Sequence, residues 1–113
     1  MKEIKAYIKR HRLADVTRAL HKVEGLSGMS VSDARGFGRG RAKDSPDRIT
    51  EELVDFIPCV KLEIICHDEL TERVISTIQQ AAHTGLRGDG KIYQLPVEEA
   101  VRISSGDRGT GAC

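Results

Sequence analysis

Apolar residues alternate with polar ones over residues 2–9 and again over residues 60–66. An alternation with a period of two predicts a strand that buries one face. Shorter stretches at residues 29–35 and 91–95 are also predicted as strands. Pro58 stands just before the alternation of the third strand, and this position predicts a bulge or a sheet edge there.

Two segments between these strands have apolar residues at helical spacing instead. The first helix is expected to end at Gly25 and the second to begin after an N-cap at Asp68 and end at Gly85. Their predicted buried residues are Leu13, Val16, Leu20 and Val23 in the first helix, and Leu70, Val74, Ile78 and Ala81 in the second.

The order of elements is strand, helix, strand, strand, helix, strand. This order predicts an α+β, ferredoxin-like (βαββαβ) domain over residues 1–105, with an antiparallel sheet and both helices on one face. A long loop is expected at residues 36–52, a short fifth strand at 100–103, and a flexible tail at 106–113. The uncovered sheet face is predicted to be mixed and suited to self-association, with Tyr7, Lys61, Glu63 and Ile65 on it.

The composition is that of a water-soluble domain of 113 residues, 39% hydrophobic and 31% charged. No apolar run approaches the length of a membrane span, and the first residues lack the features of a signal peptide, so we expect a cytoplasmic protein. Three cysteines without framework spacing are expected to be reduced.

Charge and aromatic content bear on the class of ligand. The net charge is only +1, but residues 1–12 and 35–48 each carry five basic side chains and few acidic ones. Such local excess suits anionic small molecules as well as a polymer. Because aromatic residues are only 4% of the chain, little is available for stacking bases, and no nucleic-acid partner is expected.

The segment Thr84–Lys91 reads Thr-Gly-Leu-Arg-Gly-Asp-Gly-Lys. Three glycines beside a lysine can turn several backbone N–H groups toward one phosphate. It is not a Walker motif, because Ile92 stands where that motif has Ser or Thr, and the loop runs from helix to strand. A helix C-cap followed by a glycine-rich turn explains the pattern equally well.

The second glycine-rich segment, Gly36–Arg41, stands where a strand opens into the long loop. Arg39 offers a planar donor for a phosphate or carboxylate. A solvated loop without a ligand is the alternative.

The remaining candidates for chemistry are weaker. Cys59, Cys66 and His67 lack the paired spacing of a structural zinc site, and Cys66 falls on the apolar face of its strand. The four histidines have no nucleophile and acid arranged around them, so neither a catalytic nor a metal site is predicted.

Taken together, these motifs resemble the PII signal-transduction (nitrogen regulatory protein P-II) superfamily across residues 1–105. The matching segments are the Met-Lys-x-Ile start, Gly28–Val31, Gly36–Arg39, Val54–Phe56, Val60–Ile64, Thr84–Ile92 and Val101–Ile103.

The resemblance implies a non-enzymatic homotrimer that binds an adenine nucleotide (ADP, AMP or ATP) in each cleft between subunits, without a resident cofactor. The long loop would regulate a partner, either a membrane transporter that recruits the protein to the membrane or a metabolic enzyme. The implied nucleotide-binding residues are Ser30, Gly38, Arg39, Glu63, Ile65, Thr84, Gly85, Arg87, Gly88, Asp89, Gly90, Lys91, Arg102 and Ser104.

Three departures from the family pattern modify this expectation. Ser104 replaces the second arginine of the last strand, Gly40 replaces the usual glutamine, and Cys59 replaces a lysine. The long loop also lacks the tyrosine that the family modifies. We therefore predict preference for ADP or AMP over Mg-ATP and no binding of 2-oxoglutarate. The alternatives are a sensor of bicarbonate or a transition metal that regulates a transporter, and a standard nitrogen sensor that binds ATP and 2-oxoglutarate.

Overall fold

A computed structural model describes residues 1–37 and 56–113. The strands are β1 (Lys2–Ile8), β2 (Ser30–Gly36), β3 (Ile57–Cys66) and β4 (Lys91–Pro96), and the helices are α1 (Leu13–Leu20) and α2 (Thr71–Ala82). Single 3-10 turns precede each helix at Arg10–Arg12 and Asp68–Leu70, and another closes the chain at Gly109–Ala112. None of the helices in this described part is long and apolar enough to cross a membrane.

The sheet has the order β2-β3-β1-β4, and every neighbouring pair is antiparallel. The predicted ferredoxin-like α+β fold is confirmed. Both helices cover one face, and one core lies between the sheet and the helices. Its buried members are Ile4, Ala6, Ile8, Val16, Leu20, Val23, Val60, Leu62, Ile64, Cys66, Val74, Ile78 and Ala82.

The first helix is shorter than its apolar spacing predicts, because α1 ends at Leu20 and not at Gly25. Val23 is nevertheless buried, since its N–H donates to the Leu20 carbonyl in a tight turn that keeps the side chain over the core. In α2 the buried residue of the last turn is Ala82, whereas Ala81 only packs partly against the core. The Arg12 guanidinium donates to the Ala81 carbonyl at 2.6 and 2.9 Å and so caps the helix end.

The prediction of Asp68 as an N-cap is wrong. His67 occupies that position, and no side chain caps the turn. The Asp68 carboxylate instead binds the Met1 ammonium at 2.9 Å and Lys2 at 3.3 Å, which draws it away from the helix N–H groups.

Pro58 lies in an unbroken register opposite Arg35, so the predicted bulge is absent. Among the described strands, only β2 pairs with β3 at this point, because pairing with β1 begins at Val60. A residue without an N–H is tolerated at such a local edge.

The predicted fifth strand is reduced to one bridge between Val101 and Arg108. Residues 97–113 fold back through short contacts, in which Arg102 N–H donates to the Asp107 carbonyl at 2.8 Å and Arg108 pairs with Glu99 at 3.2 Å. These local bonds compete with extension of the sheet.

A candidate phosphate-binding loop

The loop Thr84–Gly90 connects α2 to β4 and is shaped by three glycines with positive φ. Gly85 and Gly88 both have φ of 81°, and Gly90 has 103°. At Gly90 a Cβ atom would lie 1.7 Å from the carbonyl oxygen of Tyr7, closer than any contact allows. Only glycine therefore lets the loop cross the end of β1 at this position.

Asp89 stabilises the loop through hydrogen bonds with other loop residues. Its carboxylate accepts the Thr84 N–H at 2.8 Å, the Gly85 N–H at 3.2 Å and the Thr84 hydroxyl. The Thr84 hydroxyl oxygen accepts in turn the N–H of Leu86 at 3.1 Å. The first half of the loop is thus held by its own hydrogen bonds before any ligand arrives.

Lys9, from just past the end of β1, completes this cluster. Its Nζ atom lies 3.1 Å from Thr84 Oγ1 and 3.2 Å from Asp89 Oδ1, and His83 Nδ1 lies 3.5 Å from Asp89 Oδ2. Hydrogen bonds from Thr84, together with those from Lys9 and the Gly85 N–H, hold the pKa of the Asp89 carboxyl far below its usual range. The carboxylate is ionised at neutral pH and balances Lys9.

The residues that the resemblance implies at the nucleoside end are Ser30, Glu63, Ile65 and Thr84. The first three lie on the face of the sheet that the helices leave uncovered, whereas Thr84 belongs to the loop. Ser30 is opposite Glu63, which is opposite Lys5 in turn, and Ile65 is opposite Glu3. These positions alternate with buried residues of β3, and Lys91 shares their face because it pairs with Tyr7. The exposed Ile65 is 37% accessible, so this face offers apolar as well as polar contact.

Comparison with known proteins identifies the family. The family model described as nitrogen regulatory protein P-II matches residues 1–107. The chain belongs to the P-II family. Curated relatives named nitrogen regulatory protein P-II include that of Azospirillum brasilense, 51% identical, and that of Rhodospirillum rubrum, 49% identical. Each alignment spans 112 residues and 99% of both chains, so the likeness extends along the whole domain.

Membership makes this a regulatory signalling protein and confirms the resemblance read from its motifs. Because Asp89 is occupied within the loop, it positions the loop instead of meeting an anion, which it would repel. The groups suited to a phosphate are Gly88 and Gly90, where the backbone is open to close approach, and the exposed Lys91. Arg87 lies at the exposed middle of the same loop.

Arg102 and Ser104 lie apart from this loop. They follow the opposite end of β4, where Val97 N–H donates to the Met1 carbonyl, and Arg102 contacts the Gly111 carbonyl at 3.5 Å. Gly38 and Arg39 lie outside the described residues. A single chain therefore brings together the loop and the uncovered face of the sheet, but does not bring Arg102 to the loop.

Sequence reasoning missed Lys9 and His83 as partners of the loop. Lys9 is 75 residues from Thr84 along the chain. In the sequence, its position in the basic segment of residues 1–12 was the only indication of a role. His83 follows α2 directly, but its contact with Asp89 forms only because the folded loop brings the two side chains together.

Proposed function

We propose that this P-II protein is a non-enzymatic homotrimeric sensor of adenine nucleotides, with ADP or AMP favoured over Mg-ATP. The observation that carries the proposal is the loop Thr84–Gly90, which Asp89 and Lys9 hold in place beside the exposed Lys91. A loop already ordered loses less entropy when it binds an anion.

The nucleotide would span two parts of the uncovered sheet side. Its phosphates would meet Gly88, Gly90 and Lys91, and its nucleoside would lie against Ile65 and neighbouring residues. Arg102 is at the far end of its own β4, so a neighbouring copy must supply it to the phosphates. This requirement supports a trimer with clefts between subunits.

The preference for fewer phosphates follows from charge. Ser104 cannot neutralise a triphosphate as a second arginine would, and Gly40 has no side chain to orient magnesium or 2-oxoglutarate. Cys59 is a partly buried free thiol in place of a cation that would pair with a carboxylate. We therefore infer that 2-oxoglutarate does not bind.

The bound nucleotide would act on a partner protein through the long loop at residues 36–52, which stands between β2 and β3 in the sequence. A membrane transporter or a metabolic enzyme would be the regulated partner, met in the cytoplasm or at the membrane. Nucleotides would signal differently only as far as they bind the alternative loop arrangements with different affinity.

A standard nitrogen sensor that binds ATP and 2-oxoglutarate is the second candidate. The specific observation in its favour is the name and identity of the relatives, nitrogen regulatory proteins P-II that match at 51% and 49%.

Calorimetric titration of AMP, ADP and Mg-ATP, each with and without 2-oxoglutarate, separates the two. We expect ADP or AMP to bind most tightly and 2-oxoglutarate to change no affinity. Lys91→Ala should weaken ADP about tenfold, because a charge-assisted contact is lost. Lys22→Ala, at an exposed position in the turn after α1, is the matched control.

Mg-ATP binding that strengthens with 2-oxoglutarate would establish the standard nitrogen sensor instead. Equal affinity of parent, Lys91→Ala and Lys22→Ala would show that the loop is not the phosphate site.

A further inference from the structure

A second concave site lies where β2 and β3 lead into the long loop. We call it the loop-root groove. It has a volume of about 410 Å³, and its lining residues are Arg10, Asp33, Ala34, Arg35, Pro58 and Cys59. Volumes of this order suit small molecules.

The groove exists because the chain leaves the sheet early on one side. β1 ends at Ile8, opposite Val60, and the 3-10 turn Arg10–Arg12 then carries the chain toward α1. Within residues 1–37 and 56–113, β2 is the only strand that pairs with the first residues of β3, Ile57–Cys59. Arg10 stands over the open corner.

The charged groups of the groove lie on the helix side of the sheet. Asp33 is opposite the buried Val60, and Arg35 is two residues further on the same side. Ser30 and Glu63, which are expected to serve the nucleoside, face the uncovered side. Two further lining residues, Ala34 and Cys59, pair with each other on that uncovered side, so the groove reaches both sides of the sheet. The charged side chains of Asp33 and Arg35 lie on the side opposite Ser30 and Glu63, away from the proposed nucleotide cleft.

Among the described residues that line the groove, the balance of charge is positive. Two guanidinium groups, of Arg10 and Arg35, meet one carboxylate, that of Asp33. The Arg10–Asp33 distance is 4.0 Å, with both side chains more than half exposed, so this pair is loose. Within residues 1–37 and 56–113, Arg35 has no acidic partner.

We propose that the loop-root groove binds a small oxyanion, a carboxylate or a phosphate, between Arg10 and Arg35. The planar guanidinium group donates two parallel hydrogen bonds to either kind of anion. Asp33 competes with the anion for Arg10. The occupant would bridge the turn after β1 to the strands at the root of the long loop.

Nuclear magnetic resonance titration of the full chain tests the site, with inorganic phosphate and succinate as separate probes. The arginine Nε–H signals of Arg10 and Arg35 should shift together and saturate, with half-saturation at or below about 1 mM for the preferred probe. The probe that saturates at lower concentration identifies the kind of oxyanion.

Three variants distinguish binding in the groove from binding elsewhere, because each should change the affinity differently. Arg35→Gln should weaken the preferred probe about tenfold, because one bidentate contact is lost. Asp33→Asn should tighten it, because the competing carboxylate is gone and the exposed side chain is not needed for folding. Arg18→Gln, on α1 and paired with Asp15, should leave the affinity unchanged.

Failure of both probes to saturate, or equal weakening by Arg35→Gln and Arg18→Gln, would overturn the proposal. The titration is repeated with saturating ADP. Persistence of the anion shifts supports a separate site, whereas their displacement by ADP places the arginines in the nucleotide cleft and overturns it. The ADP affinity of Arg35→Gln, measured by calorimetry, is expected to match that of the parent. Failure of the oxyanion proposal would therefore leave the nucleotide proposal standing.

Discussion

Two aspartates at opposite ends of β1 both bind cations, yet they differ in what surrounds them. Asp68, near the start of the strand, binds the Met1 ammonium and Lys2, and its side chain is 64% exposed. Asp89, past the other end, binds Lys9 but also two backbone N–H groups and a hydroxyl, and it is 24% exposed.

The difference shows what makes an ionic contact structural. An exposed ion pair replaces contacts with water by contacts within the protein, with little gain in the free energy of folding, and salt screens it. A carboxylate that also satisfies backbone donors fixes the conformation of the chain around it. In both aspartates the partners lower the pKa, but only Asp89 determines the shape of a loop with a proposed ligand.

The largest loss of stability should come from a change at Gly90, which allows the loop Thr84–Gly90 to pass close to β1. Gly90→Ala places a Cβ atom against the Tyr7 carbonyl and demands positive φ from alanine. We expect the free energy of unfolding to fall by about 2–4 kcal/mol, measured by urea denaturation. ADP binding should weaken as well, because the loop must move.

Gly28→Ala is the matched control, since a Cβ there meets no atom within 4 Å and its φ is not in the left-handed region. Its free energy of unfolding should lie within about 0.5 kcal/mol of that of the parent. Equal stability of the two variants would mean that the loop shifts away from Tyr7 at no cost.

Asp89→Asn tests the comparison directly. The amide keeps the size of the side chain but removes its charge and replaces one of the two acceptor oxygens by an NH₂ group. Depending on which oxygen is replaced, either the Thr84 and Gly85 N–H groups or Lys9 then face a donor. We expect a loss of about 2 kcal/mol in the free energy of unfolding. Asp68→Asn should cost clearly less.

Hydrogen exchange of the Thr84 and Gly85 amides gives an independent measurement. It should accelerate in Asp89→Asn and remain unchanged in Asp68→Asn. Equal stability losses in the two variants, without faster exchange in the loop, would contradict the distinction between the aspartates.

The sheet, the helices and most of the core were predictable from the sequence, because period and burial are local properties. Ile4, Ala6 and Ile8 alternate whatever the rest of the chain does. The exceptions are points where a distant group competes. Asp68 fits an N-cap by its residue type, but the ammonium of Met1 is a stronger partner.

The candidate site was only partly predictable for the same reason. The glycines and Lys91 belong to one continuous motif, so the candidate phosphate-binding loop was recognisable. The function of Asp89 within that motif was not, because it depends on Lys9, 80 residues away. The loop-root groove likewise combines Arg10 with Arg35 across a turn whose path local spacing does not specify.

Lys9→Met should have a smaller effect than loss of the carboxylate. Methionine keeps the apolar part of the side chain, but Thr84 and Asp89 lose one charged donor while their bonds to the loop remain. We expect a loss of about 1 kcal/mol in the free energy of unfolding. Lys22→Met, at an exposed turn position, should be neutral, and an equal effect of both would argue against a specific contact.

The smallest effect concerns pH. The pKa of the Asp89 carboxyl is lowered in the folded chain, so the ionised carboxylate stabilises the fold fully above about pH 5. As the pH falls below about 4, the unfolded chain takes up the proton first, and the parent loses this contribution. The stability difference between parent and Asp89→Asn, from urea titrations at several pH values, should therefore shrink between about pH 5 and pH 3 without reaching zero, because the folded carboxylate is still ionised there. A difference that stays constant over this range would show that the Asp89 hydrogen bonds do not favour the ionised form.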